Sequence, residues 1–420
     1  MLRSLFSAIS GLQAHQTKMD TVGNNIANVN TVGYKSSTTV FEDTLSQVLR
    51  NGSAPTGTAG GTNPAQVGLG VKVAEITTNF SQGSTQSTGR SSDFMISGDG
   101  FFVTQSGNQQ LYTRAGSFDF DGSGRLVTPD GNFLQGWMAT NGAVNTNGPI
   151  GNLSVPFGQS LKPVATTASE VTGNLDSSTG SATPVIPVVT QQTMYDPLGA
   201  PHQITYTFTP TANPNQWTVA VASGTTTLAT TPPTVTVNFD PSAGATAGKI
   251  VPAADQTFSF DASPIDAAWN GPVTTDLSKM TQFGAPTTAL ADTPVTGGGS
   301  AEGTLESFSL GNDGSITGVY SNGLRQVIGQ LALANFANPS GLSKSGNSSY
   351  AVGDNSGTPR IGVAGTGGRG TLSAGALEMS NVDLAQEFTG LIIAQRGFQA
   401  NSKVITTSDQ ILQDLVQMKQ

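Results

Sequence analysis

Two matched apolar stripes, one at each end of the chain, constrain its fold more than any other feature of the sequence. Leu5, Leu12, Met19 and Ile26 recur every seven residues, with Leu2 and Ile9 in the adjoining row, so a helix would carry them along one narrow seam. At the far end Leu384, Leu391, Phe398, Ile405 and Leu412 repeat the pattern. Each run lasts about four heptads, long enough to assign helix. The second row of each seam is impure: Gln16 and Gly23 interrupt it in front, and Gln395, Ser402 and Asp409 follow Phe388 behind. Polar residues there weaken a free two-stranded coil. The pattern therefore favours neighbouring chains completing the packing over two helices closing on each other within a monomer. At about 1.5 Å per residue, a helix from Asn381 to Gln420 would reach about 60 Å, and a rod of that length is unstable without partners.

Composition narrows the function classes. Only 11% of residues are charged, against roughly 25% in an ordinary globular protein, so the surface is largely Ser, Thr, Asn and Gln. Net charge is -9 and no basic cluster occurs, which removes the footprint needed to hold a nucleic-acid backbone. With no cysteine, disulfide scaffolds, thiolate metal sites and cysteine nucleophiles are excluded. The N-terminus reads as lacking a cleavable signal, since Arg3 is a lone charge and the apolar residues are spaced; an extracellular location would then require a route other than general secretion. No run of about 18 apolar residues spans a membrane.

Between the helices the period changes. Thr31 to Lys35 ends the first helical pattern with Gly33 as a turn residue, a short amphipathic stretch runs from Val40 to Leu49, and Asn51 to Gln66 reads as a loop. From Val71 the period is two: Val71, Val73 and Ile76, then Phe94 and Ile96, Phe101 and Val103, Phe118 and Phe120, separated by turn clusters, predict hairpins with one buried face. A comparable block returns at Phe308 to Phe336. A central region carries its own alternation in Ile204, Tyr206 and Phe208, in Trp217, Val219 and Val221, and in Val235, Val237 and Phe239. The expected fold is mainly β with terminal α-helices. Helices 1–30 and 381–420 form a coiled-coil-like core domain, 31–70 with 366–380 a connector, 71–148 with 290–365 a split β domain, and 149–289 an inserted outer β domain.

Catalytic signals are weak. His15, on the polar side of the first helix, and His202, after the turn Asp196 to Gly199, lack nucleophilic or metal-spaced companions, so both read as solvated or hydrogen-bonded. Asp119 to Arg125 imitates a calcium loop, but Asp130 stands where a bidentate Glu is expected and strands flank it, so a hairpin turn explains it. Gly68 to Gly70 and Gly365 to Gly370 lack the strand-to-helix context of a nucleotide loop. No catalytic residue, cofactor, metal or small-molecule substrate is assigned.

Ser10-Gly11-Leu12, Gly23-Asn24-Asn25-Ile26-Ala27-Asn28 and Thr31-Val32-Gly33-Tyr34-Lys35 resemble the N-terminal signature of bacterial flagellar rod and hook proteins. Gly375-Ala376-Leu377-Glu378, Ser380-Asn381-Val382-Asp383-Leu384 and Gln395-Arg396-Gly397-Phe398-Gln399-Ala400-Asn401-Ser402 resemble its C-terminal partner. Within that family the chain is most similar to the hook branch, through Gly68 to Val73, Asp99 to Phe102 and Gly329 to Phe336, while the long 51–66 loop is similar to the straight distal-rod branch. The resemblance implies a homopolymer: helices of many subunits around a channel, β domains outside, and a tube acting as a universal joint between rod and filament. It also implies a distal rod protein, a hook–filament junction protein and a hook cap protein as partners, with delivery by the flagellar type III export apparatus. In that picture the outer domains shear, the connectors absorb the movement, and the 51–66 loop stiffens the tube. From another class, an adhesive or carbohydrate-binding surface β protein, its helices merely trimerising it, would use exposed aromatics of the central region, although Tyr195, Tyr206 and Trp217 fit strand cores equally well.

Overall fold

Two long helices, α1 (Leu2–Ala27) and α2 (Leu384–Gln417), bracket a chain that is otherwise mostly strands and turns. The computed structural model describes residues 2–55, 60–178, 185–292, 294 and 297–418. The expected 51–66 loop, the inserted region, the 285–299 stretch and both terminal helices therefore extend in part outside the described residues. Among those described, no helix is long and apolar enough to cross a membrane.

Local chemistry sets the helix ends. The Asp383 carboxylate accepts from the backbone N–H groups of Ala385 (2.9 Å) and Gln386 (3.2 Å), an N-cap that starts α2 three residues later than the periodicity implied. At the close of α1 the Asn28 side-chain amide donates to the Asn24 carbonyl at 2.9 Å, and Thr31 donates to Asn28 Oδ1 at 3.0 Å. The chain then turns through Gly33 at φ +68°. Any side chain there would run into the backbone of Arg114 and Ala115, so glycine is required twice over.

The residues fall into two compact units: 1–156 with 308–318 and 326–420, and 157–307 with 319–325. In the first, α1 packs on the antiparallel strands Ser37–Asp43 and Val71–Thr78. The short amphipathic stretch Val40 to Leu49 is parts of two strands, with Val40 to Asp43 paired to Val71 to Glu75. Next comes an antiparallel sheet in the order Arg325–Leu331, Phe133–Thr140, Phe101–Ser106, Gln109–Thr113, Ser349–Ala351, Ser343–Gly346. Phe101 to Thr104 are buried on both faces rather than one, since Phe101 joins an edge-to-face aromatic cluster of Phe80, Tyr112, Phe336 and Tyr350 while Phe102 meets Phe118; Phe94 to Ile96, paired with Leu372 to Ala374, are likewise buried throughout.

The second unit is two sheets sharing one core. Val188–Tyr195, Pro201–Pro210, Gln216–Ser223 and Val235–Asn238 form an antiparallel sheet. Ala168–Asp176, flanked in parallel by Pro272–Asp276 and Met280–Phe283, is central to the other. The alternating residues Ile204, Tyr206, Phe208, Trp217, Val219, Val221, Val235 and Val237 all point into that core. Tyr206 ties the sheets together through hydroxyl contacts with Ser169 (2.7 Å) and Thr275 (3.2 Å), and burial pushes its phenol up to about 12. Tyr206 and Trp217 are thus enclosed, which removes the aromatic platform a sugar-binding reading needed. The calcium-like loop is a turn in the first unit. Asp121 accepts from the backbone of Ser123 and Arg125 and from the Arg125 guanidinium.

Candidate assembly surface

The terminal helices pack on each other, antiparallel and close. Gly11 lies against Asn401, His15 against Gly397, Val22 against Gly390, and Asn25 bonds Glu387; the residue numbers of each pair add to one total, as a strict antiparallel register demands. A Cβ on Gly11 would stand 2.7 Å from Asn401 Nδ2, and one on Gly397 2.5 Å from the His15 ring. At three of the four crossings a glycine faces a larger residue, and this sets the approach. The expectation that neighbouring chains rather than the partner helix would meet the seams is therefore corrected. Heptad counting registers apolar residues and overlooks the glycines that let two helices close. Leu5, Leu12, Met19, Ile26, Leu391, Phe398 and Ile405 are half-buried beside this contact, and Leu384 and Leu412 are exposed.

His15 also moves. It sits in the seam, edge-on to Phe41 at 5.7 Å, with Nδ1 buried and lacking a hydrogen-bond partner among the described residues. Burial first, and the nearby Lys18 charge second, hold its pKa below the usual value. The polar side of α1 inferred from sequence is in part the face that meets α2.

Large apolar residues of the pair are also left exposed. Phe6 on α1 is 63% exposed, and on α2 Phe388, Ile392, Ile393, Val404, Ile411 and Val416 lie open, Ile392 at 58% and Val416 at 65%. In the observed register α1 has nothing to set against the last turns of α2, so Ile411, Leu412 and Val416 project beyond it. Apolar residues gathered in this way on one element mark an interaction surface.

Where the helices join the β structure, the sequence signatures meet in a buried polar network. Asn25, wholly buried, uses all its capacity: its amide donates to the Ser37 carbonyl (2.8 Å) and Glu387 Oε1 (2.9 Å), and its oxygen accepts from Tyr34 Oη and Ser37 N–H, both at 3.0 Å. Burial raises the Glu387 pKa, Asp383 adds to the rise, and the Asn25 bond opposes it. Beside this, Lys35 Nζ reaches Glu378 Oε1 at 2.7 Å with both side chains fully enclosed, and Arg114 meets Glu378 Oε2 at 3.4 Å. Lys35 also donates to the Ser81 carbonyl, and Gly83 N–H donates to Glu378. Desolvation dominates at Lys35 and lowers its pKa, although Glu378 pulls the other way. Asn381 accepts from Ser36 N–H and donates to the Asn79 and Ser81 carbonyls.

Segments expected to absorb movement, near 33–36 and 376–381, are therefore stitched together from both ends of the chain. Giving way there would leave buried charges unpaired. The network draws in Asn25, Gly33, Tyr34 and Asn381, while Asn24, Asn28 and Thr31 close the end of α1. Ser380 accepts from the Val382 N–H at 3.3 Å, Ala27 is exposed, and Gln395 and Arg396 lie on the outer side of α2. The motif strings contained Lys35, Glu378 and Asn25; what they could not disclose was the pairing across some 340 residues of chain.

The 51–66 stretch is partly the tip of an antiparallel ribbon formed by Ser46–Arg50 and Ala65–Gly68, continued by a Ser53–Thr62 bridge, with 56–59 outside the described residues. Leu45, Val48, Leu49, Val67 and Leu69 are exposed along it.

Four family models match along the chain: "Flagella basal body rod protein" over 5–35, "Flagellar hook protein FlgE/F/G D1 domain" over 95–171, "Flagellar basal body protein FlaE D2 domain" over 185–294, and "Flagellar basal body rod FlgEFG protein C-terminal" over 373–418. The flagellar hook protein FlgE of Treponema pallidum is 41% identical, and that of Borreliella burgdorferi 40%, each covering 100% of both chains. The flagellar basal-body rod protein FlgG of Bacillus subtilis is 33% identical, again over 100% of both.

Proposed function

The chain belongs to the flagellar hook and rod family and is a structural subunit of the hook rather than the rod, and from that premise we propose that it polymerises through the exposed apolar residues of its terminal helix pair. One observation carries this reading: Phe388 and Ile392 are left uncovered on the side of α2 turned away from its contacts with α1, and Val404, Ile411 and Val416 are exposed further along the helix. The rows Leu5, Leu12, Met19 and Ile26 and Leu384, Leu391, Phe398, Ile405 and Leu412 flank those residues and supply the remaining contacts. Copies stacked helix to helix would line a channel, with the β structure outside it.

A hook built this way serves as a universal joint. Its neighbours are the distal rod protein at one end and the hook–filament junction protein at the other, with a cap protein during growth and the flagellar type III apparatus as its exporter. Surfaces of Ser, Thr, Asn and Gly slide with small free-energy changes, whereas ion pairs would lock one arrangement. The network at Lys35, Glu378 and Arg114 couples helices to β structure rigidly, so compliance resides in contacts between copies. The 45–69 ribbon stiffens the tube by lying on a neighbour.

Replacing Phe388 and Ile392 by Ser tests the proposal. Both are exposed, so the isolated subunit should melt within about 0.5 kcal/mol of the parent, while tube formation seen by electron microscopy is lost. Tubes that form normally from the double variant would refute it.

A further inference from the structure

A cleft beside α1 holds a cation, Lys344, that pairs with no carboxylate among the described residues. It measures about 430 Å³ and is lined by Asn24, Asn28, Thr31 and Tyr34 on one side and by Lys344 and the turn to Tyr350 on the other. Lys344 Nζ donates one bond to Ser37 Oγ at 2.8 Å and stands 5.4 Å from the centre of the Tyr34 ring. Among the described residues it makes no ion pair, unlike Lys35, Lys72 and Lys279. The residue as a whole is exposed, and partial burial of its ammonium, with no opposing carboxylate, lowers its pKa.

The cleft wall is built and held. Its turn places two successive non-glycine residues, Asn347 (φ +50°) and Ser348 (φ +53°), in the left-handed region, a conformation that glycine ordinarily supplies. The Ser348 carbonyl is fixed by the Thr113 hydroxyl at 2.9 Å. Backbone strain retained beside an unpaired charge points to a use for the arrangement.

We infer that this cleft receives an aspartate or glutamate side chain from a second copy of the chain, whose carboxylate pairs with Lys344 in the assembled tube. The inference rests on the polymer reading above and names a contact for it. Charge complementarity selects the occupant: 27 acidic residues face 18 Lys and Arg, so every copy brings surplus carboxylates, and the Lys344 ammonium in its cleft offers one of them a partner. The amides of Asn24 and Asn28 and the Tyr34 hydroxyl lie around the same space, ready to share the entering oxygens.

Zero-length carbodiimide coupling of the full-length protein, followed by peptide mapping, tests this. The expected product joins Lys344 to an acidic peptide in tubes and is absent from dilute monomer. Lys344→Met should raise the concentration needed for tube growth about tenfold, the equivalent of one partly desolvated ion pair, while Lys344→Arg retains growth and neither variant changes the melting of the monomer. Tubes whose cross-links involve other lysines but never Lys344, or a Lys344 link equally abundant in monomer, overturn the inference. So does a Lys344→Met monomer that melts early, or inorganic phosphate that binds the monomer through Lys344, since the cation then serves the fold or a free anion. If the parent chain forms no tubes at all, the polymer reading itself fails, an outcome distinct from these.

Discussion

The helix pair and the two-sheet core of the second unit solve the burial problem in opposite ways. In the second unit the alternating residues Ile204, Tyr206, Phe208, Trp217, Val219, Val221, Val235 and Val237 are enclosed, and the Tyr206 hydroxyl is satisfied from the facing sheet. In the helix pair the inner contact is made by glycines and one saturated asparagine, and the large apolar residues Phe388, Ile392 and Val416 are left outside. A finished core needs nothing from a neighbour; an element that hides its small residues and shows its large ones does. The contrast separates a self-sufficient module from a surface made for company.

The strongest way to break the comparison is Trp217→Ala. It removes a fully buried indole and should cost about 3–5 kcal/mol, confined to the second unit. Hydrogen exchange should show 157–307 opening while α1 and α2 keep their protection. Equal loss in the helices would mean that the two regions are not independent.

Lys35→Met should cost about 3 kcal/mol, because Glu378 stays buried with only Arg114, at 3.4 Å, to balance it. The loss belongs to the first unit, read as early exchange at 33–36 and 376–381 with 157–307 unaffected. A variant that melts like the parent would show that the network adds no net stability.

The smallest effect is one of pH. His15 has a lowered folded pKa, set by burial and then Lys18, so its contribution is complete above 6.5 and is lost as pH falls from 6.5 through the folded value. Glu387 has a raised pKa, set by burial first; its contribution is present below 4.5 and is lost as pH rises through the folded value. In the second unit Asp176, Asp240 and Asp261 are lowered by bonds from neighbouring Ser and backbone N–H groups, so they support it above 3.8 and weaken it only below. Between 6.5 and 4.5 the helical circular dichroism should therefore respond to pH. His15→Gln should remove the part of the slope that begins at 6.5, and persistence of that part would remove His15 from the account.

Much of this was legible beforehand. Period-two runs such as Ile204, Tyr206 and Phe208 became buried strand faces because alternation is a local geometric rule that the pleat enforces. Heptads at both ends became helices for the same kind of reason. Val40 to Leu49 stayed open because a short apolar stretch fits either period, and only pairing with Val71 to Glu75 settled it. His15 misled because a polar residue beside glycine-bearing positions looks solvated until the partner helix is in place.

The sequence by itself determined the terminal helices, most of the alternating strands and the family to which the two terminal signatures belong, since periodicity and turn chemistry act over a few residues. Tertiary structure decided which residues meet: Gly397 with His15, Glu378 with Lys35, Asn25 with Glu387. Those pairings join positions hundreds of residues apart, where burial and the demand that every enclosed polar group find a partner act on the folded chain and leave no local periodicity to read.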